Sequence, residues 1–298
     1  MVTPKDPALE RRKVRLALRA FRKDAGLNQP DVAEALSWSP SKVIRIEGGS
    51  VGVSVTDLRA LLDLYNVSDV RLRLDLEEAT RASRRPPWWS PYRDVVSAEF
   101  GVYLGFEGSA DALYAYHPTF VPGLLQTEDY ARALLKSRYT GARLKDAVEL
   151  RMERQERLVR GQEGPELNFL VDEAALRRWI GGPDVMRRQV EHVKTVAGQP
   201  RVTVGVVPFS LGVHPVLRKG CIALTFTDGD DVLFMENSSG ALTVRNDQSA
   251  VDDYLTDFHK SADSSLFDDR MKALADEIIG HLPNGRAGGP AGPSDSLS

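Results

Sequence analysis

Lys42 and Arg45 stand three residues apart in the stretch Ser39-Pro40-Ser41-Lys42-Val43-Ile44-Arg45-Ile46-Glu47. A guanidinium or ammonium carried on a helix can donate to the O6 and N7 acceptors of guanine in the major groove, or to a nearby phosphate. A hydroxyl such as that of Ser41 does so more weakly. Upstream, Arg19, Lys23 and Gln29 carry donors suited to holding a nucleic-acid backbone in position. The chemistry these residues imply is recognition of double-stranded DNA. Pro40 has no side-chain or backbone donor, so readout should lean on Ser41, Lys42 and Arg45.

Two short helices joined by a tight turn, with a supporting helix before them, would position these groups. The supporting helix spans about Leu9 to Asp24, with Val14, Ala17, Leu18 and Phe21 at helical spacing and Gly26 ending it. The next helix starts at Asn28, a capping residue type, with Asp31 three positions on as its capping-box partner. Val32, Ala33 and Leu36 make its apolar face. The third helix starts at Ser39, with Pro40 at the first helical position, where a missing N–H costs nothing. Trp38 and Val43 are placed to form a hydrophobic staple, Val43 and Ile46 face inward, and Gly48-Gly49 stops the helix. Ser54-Val55-Thr56-Asp57-Leu58 opens a fourth helix reaching about Tyr65. Residues 69–82 carry Val70, Leu72, Leu74 and Leu76 in alternation with charges; that period also fits a strand, and the helical surroundings decide for a helix.

This pattern resembles the Cro/C1 (Xre-type) repressor family. The matching residues are Leu18-Arg19, Phe21-Arg22, Gly26-Leu27-Asn28-Gln29, Ala33, Leu36, Ser39, Val43, Arg45-Ile46-Glu47 and Gly48. The resemblance covers residues 9 to about 80 and implies a lambda-repressor-like domain. It places Gln29 on a phosphate and Ser39, Pro40, Ser41 and Arg45 where members read bases. It also implies a structural ion pair between Arg22 and Glu47. Ile44 departs from the small or polar residue usual at its position, leaving an edge that is apolar or packed.

The whole chain carries a formal net charge of −3, which looks wrong for a DNA binder until its distribution is read. Residues 1–85 hold 16 Lys and Arg against 12 Asp and Glu, whereas the remainder holds 23 against 30. Arg11, Arg12, Lys13, Arg15, Arg19, Arg22 and Lys23 concentrate positive charge on the first helix. Such a run is ordinarily a solvated helix face. Beside a helix-turn-helix it reads as a phosphate-contacting face, because local charge sets counterion release. The single cysteine, Cys221, allows neither an internal disulfide nor a cysteine metal cluster. No apolar run reaches the length of a membrane span, and the start lacks the apolar core of a signal peptide. A soluble cytoplasmic protein is expected.

The fold class read from this pattern is α+β overall. A five-helix all-α domain over 1–83 precedes a Pro/Trp linker over 84–91, Arg84-Arg85-Pro86-Pro87-Trp88-Trp89-Ser90-Pro91. A larger mixed α/β domain then covers 92–282, and a Gly/Pro/Ser-rich disordered tail covers 283–298. In the larger domain, helices are expected near 97–107, 127–135, 145–160, 185–197, 249–260 and 266–281, and strands near 112–118, 167–171, 201–207, 221–227, 232–235 and 241–244. Asp228-Gly229-Asp230-Asp231 is a hairpin signal. Trp88 and Trp89 would be costly if fully exposed, so at least one should dock.

This second region resembles the large domain of WhiJ-like (Scr-type) actinobacterial regulators, carried here by VPGLLQTEDYARALL (121–135), VDEAALRRWIGGP (171–183), RVTVGVVPF (201–209) with His214-Pro215, and the strand leading to Met235-Glu236. The resemblance implies an antitoxin-like regulator encoded beside a small protein partner. Catalytic constellations are sparse. His117, His192, His214 and His259 are isolated, and no HExxH, paired CxxC, GxxxxGK[ST] or GxSxG occurs. Gly101 to Gly105 imitates a dinucleotide fingerprint without its third glycine. Asp172-Glu173 reads as a helix cap before it reads as an acid/base pair, His214-Pro215 as a turn, and Cys221 as a small core residue. Glu236, with Trp88 and Trp89, is a candidate partner or ligand surface.

Catalytic residues, metal ligands and cofactors are expected to be none. The expected partners are double-stranded DNA, a small protein and a second copy of the chain, with no membrane. A partner-controlled regulator competes with a small-molecule sensor, and more remotely with an enzyme carrying a DNA-targeting module. An exposed apolar patch near Trp88-Trp89 or the VPGLLQ turn would favour the first; a closed apolar pocket would favour the second.

Overall fold

The computed structural model describes residues 7–48, 51–160, 164–227, 231–236, 242–245 and 247–283. They form an α+β protein of two compact units. One comprises residues 1–113, 162–165 and 224–248; the other comprises 114–161, 166–223 and 249–298. The expected 84–91 linker falls inside the first unit. The expected tail beyond Pro283 and the 228–230 turn lie outside the described residues.

In the first unit, helices α1 (Pro7–Asp24), α2 (Gln29–Ala35), α3 (Pro40–Glu47), α4 (Val55–Leu64) and α5 (Val70–Ala82) follow one another. Their starts have local causes. Asn28 accepts from the Asp31 N–H while Asp31 accepts from the Asn28 N–H, a complete capping box. Ser54 and Asp69 cap α4 and α5 by accepting from Asp57 and Leu72 N–H groups. Pro40 opens α3, although the Ser39 hydroxyl makes no capping bond. Val14, Leu18, Val32, Val43, Ile46, Leu58, Leu62 and Leu76 share one buried core, with Phe21, Leu36, Trp38 and Leu72 packed on its margin. Full burial of each such aliphatic side chain stabilises by roughly 1.5–3 kcal/mol.

The alternation at 70–76 resolves as a helix. Leu72 and Leu76, four apart, turn to the core, leaving Val70 and Leu74 69% and 60% exposed. The same unit holds α6 (Ala98–Glu107), capped by Ser97, and the antiparallel pair β5 (Val232–Glu236) and β6 (Leu242–Arg245). Helix α6 packs against α1. Tyr103 and Phe106 of α6 meet Phe234 ring to ring, with centroids 5.0 and 6.2 Å apart. Arg12, buried on α1, lies over the Phe226 ring at 3.7 Å. Gly101 to Gly105 is thus helical and makes no phosphate loop.

The second unit contains α7 (Glu128–Leu135), α8 (Gly141–Leu158), β2 (Glu166–Asp172), α9 (Glu173–Arg177), α10 (Pro183–Val196), β3 (Val202–Val207), α11 (Gln248–Ala262) and α12 (Asp268–His281). With β1 (Ala112–His117) and β4 (Cys221–Thr225), its strands follow the order β3-β2-β1-β4. Strands β2 and β3 are parallel, Leu167 opposite Val202 and Asp172 opposite Val207. Their nearly unbroken burial is what a parallel pair needs, and explains why the β-branched run 202–207 does not alternate with polar residues. Gly181 and Gly182 both take positive φ (78° and 89°), which ends the segment after α9 and lets α10 begin at Pro183, two residues before the expected start. Helix α8 begins four residues earlier than expected, because nothing after Gly141 breaks it.

The 121–127 stretch is a short 3-10 turn, Gly123–Leu125, whose Val121, Leu124 and Leu125 are buried. Three glutamines satisfy its backbone. Gln126 Nε2 donates to the Val121 carbonyl (2.6 Å), and Gln155 Nε2 to the carbonyls of Gly123 and Gln126 (2.9 and 2.7 Å). Gln189 Nε2 donates to the Leu125 carbonyl (2.6 Å), while its Oε1 accepts from the Thr127 N–H (2.8 Å). Buried backbone carbonyls without such partners would each cost about 1–3 kcal/mol. The turn is therefore an interior joint and offers no exposed apolar patch.

Candidate nucleic-acid interface

Helix α3 has one buried and one open side. Val43, Ile46 and Glu47 point in; Ser39, Pro40, Ser41, Ile44 and Arg45 are exposed. The inward side is fixed by a charged node. Arg22 Nε and Nη2 donate to Glu47 Oε1 and Oε2 (2.7 and 2.9 Å), a fork-to-fork pair. Arg22 Nη1 also donates to the Leu27 carbonyl (2.7 Å), pinning the turn between α1 and α2. Gln29 Nε2 donates to Glu47 Oε2 (2.8 Å). One carboxylate thus ties α1, α2 and α3 together. The hydrogen bonds that Arg22 donates to Glu47 raise the guanidinium pKa against the opposing pull of burial. Gln29, expected on a phosphate, has its amide nitrogen within this node at the first position of α2.

The structure separates the two expected cationic readers. Lys42 Nζ pairs with Asp57 Oδ1 of α4 (2.7 Å) and sits over the Trp38 indole, 3.5 Å from the ring centroid. Burial pushes the Asp57 carboxyl up. Hydrogen bonds from Lys42 and Ser54 outweigh that effect and leave it below the usual carboxylate range. Lys42 is thereby turned toward α4. Arg45 runs along the exposed side, its Nε donating to the Ser41 carbonyl (3.2 Å). On α1, Lys23 is exposed and Arg19 half-buried. The Trp38–Lys42 contact spans the Ser39 cap, with Trp38 outside the helix, and only their closeness in sequence hints at it. Asp57 has none, since it lies on another helix.

The remaining candidates are occupied structurally. Trp88 and Trp89 are half-buried and meet edge to face with centroids 5.7 Å apart. A Cβ at Gly101 would lie 3.5 Å from Trp89 Nε1, which places that indole against α6. Asp172 Oδ1 caps α9 through the Ala174 N–H (2.9 Å), and its Oδ2 accepts from the Tyr116 hydroxyl (2.8 Å). Glu173 accepts from Arg177 Nε (2.6 Å) and from the Phe209 N–H (2.7 Å). His214 is buried with Nε2 3.9 Å from Asp172 Oδ2; burial lowers its pKa more than Asp172 raises it. Burial pushes the Cys221 thiol up to about 11, so it is a poor nucleophile. Glu236 ends β5; its side chain and Asn237 lie outside the described residues. Among the described residues no group of three His, Cys, Asp or Glu could hold a metal, and no helix is long and apolar enough to cross a membrane.

Comparison with known families finds two matches. A model described as a helix-turn-helix domain matches residues 15–74, from α1 into α5. A model described as a domain of unknown function, DUF5753, matches residues 100–273, more than half of the chain. No curated protein and no solved structure matches. The N-terminal region is a helix-turn-helix DNA-binding domain.

Proposed function

The chain belongs to the family of the domain of unknown function DUF5753, and from that premise we propose that it is an Xre-type, antitoxin-like transcriptional regulator. Helix α3 enters the major groove, and residues 92–282 answer to a small protein partner. The observation that carries this reading is the open side of α3, where Ser41 and Arg45 stand exposed while the Arg22–Glu47–Gln29 node holds the helix from behind. A helix presented in this way is what major-groove readout requires. A homodimer in the cytoplasm would set two such helices one helical turn apart. The protein is not an enzyme on this reading. The oxygens of Asp172 and Glu173 are engaged by caps and ion pairs, and the Cys221 thiol is held protonated. The VPGLLQ turn is buried, so on this reading the partner docks elsewhere.

The test is duplex binding by the full chain, measured by fluorescence anisotropy on a sequence selected from a random library. Arg45→Ala is expected to weaken binding to the selected duplex by about 1–3 kcal/mol and to relax preference at one base position. An equal loss on every sequence would assign Arg45 to phosphate. Absence of salt-dependent duplex binding by the wild type would reject the reading. Affinity capture of the full chain with nuclease present should retain a small protein; recovery of DNA alone in untreated samples would shift control to a small molecule.

A further inference from the structure

Ile44 occupies the middle of the open side of α3 and is 52% exposed. Its neighbours there are Ser41 and Arg45, with Pro40 one turn before it, all exposed. Pro40 and Ile44 are four residues apart and so lie on one helical row. That row is apolar, in a face where Lys42 has been drawn away to Asp57 and Trp38. Val43, next to Ile44 in sequence, and Ile46, two residues on, turn inward instead. About half of Ile44 is therefore left open to solvent on this face. An exposed branched aliphatic side chain beside an arginine has a defined counterpart in the major groove. Among the groove edges of the four bases, only thymine presents a methyl group, at C5.

We infer that Ile44 determines specificity by packing on the C5-methyl of a thymine next to the base contacted by Arg45. The inference rests on the reading of α3 as the groove-entering helix. It goes beyond that reading by naming a base and the chemical group on it. The preferred sequence should then contain, in each half-site, a thymine whose recognition depends on one methyl group and on no hydrogen bond. Arg45 would supply the polar half of the same step by donating to guanine O6 and N7.

The experiment uses the full chain and the duplex selected by the wild type. Each thymine is replaced in turn by uracil, which removes the methyl and leaves the pairing and the O4 acceptor intact. At one thymine per half-site, the replacement should weaken wild-type binding about fourfold, the effect of one methyl leaving an apolar contact. Ile44→Ala should bind the thymine duplex about as weakly as the wild type binds the uracil duplex, and should be indifferent to the replacement. Ile44→Val should keep part of the discrimination. Because Ile44 is exposed, the variants should melt with the wild type, and the uracil series on the wild type stands whether or not they do. Uracil tolerated at every thymine, or equally harmful to wild type and Ile44→Ala, overturns the assignment. If the wild type binds selected and scrambled duplex alike, the reading of α3 fails first and takes Ile44 with it.

Discussion

Replacing Glu47 with alanine is expected to destabilise the helix-turn-helix domain by about 3–5 kcal/mol, the usual cost of removing one member of a buried, hydrogen-bonded ion pair. Three donors lose their acceptor at once: Arg22 Nε, Arg22 Nη2 and Gln29 Nε2. The side chains of Arg22 and Glu47 are only 12% and 5% exposed, so water does not readily replace the carboxylate. The guanidinium cannot neutralise itself by losing a proton. The melting transition of the domain should fall by about 10 °C or more. Duplex binding by the fraction that remains folded should be little changed, because Glu47 faces inward. Arg22→Ala/Glu47→Ala together should cost less than the sum of the single changes, since the double variant strands no charge. A melting temperature unchanged in Glu47→Ala would show that the node is not structural.

Gly205→Ala is the second large effect, and it arises in the other unit. Gly205 lies inside β3, where a Cβ would sit 2.5 and 2.6 Å from two Phe267 ring carbons and 3.0 Å from Leu170 Cδ2. The obstacle is space. The backbone beside Phe267 is held, because Leu266 bonds Val206 through both its N–H and its carbonyl at 2.8 Å, so relief must come from turning the ring itself. A methyl forced into this contact should cost about 2–3 kcal/mol through displaced rings and backbone. Urea denaturation should show a lower midpoint for Gly205→Ala and a partial recovery in Gly205→Ala/Phe267→Leu. A neutral single variant, or no recovery in the double, would place the limiting contact elsewhere.

These two positions mark where sequence reading stops. Gly205 is the one glycine in a β-branched run, and nothing nearby in sequence announces the Phe267 ring that excludes a side chain there. Glu47 is different. The resemblance to a known family implies its pairing with Arg22, whereas the bond from Gln29 and the bond from Arg22 to the Leu27 carbonyl come only from the folded chain.

What the sequence by itself determined was local. Asn28 with Asp31, Ser54, Asp69, Ser97 and Thr127 mark helix starts because a cap bonds within three residues of itself. The inward stripe of α2 and α3 follows from a period of 3.6, the buried parallel strands follow from continuous β-branched runs, and the positive-φ pair Gly181-Gly182 marks a break. The outward placement of Ser41, Ile44 and Arg45 follows from the same period, once Val43 and Ile46 are assigned to the core. Only the tertiary structure decided which cation stays on that face. Lys42 and Arg45 are equivalent by spacing, and Asp57, on α4, takes the one and leaves the other along the exposed side. It also decided that the VPGLLQ turn is interior, because Gln155 and Gln189 reach its carbonyls from α8 and α10. Partners distant in sequence leave no periodic trace, since their meeting depends on how separate elements pack and not on the pattern within any one of them.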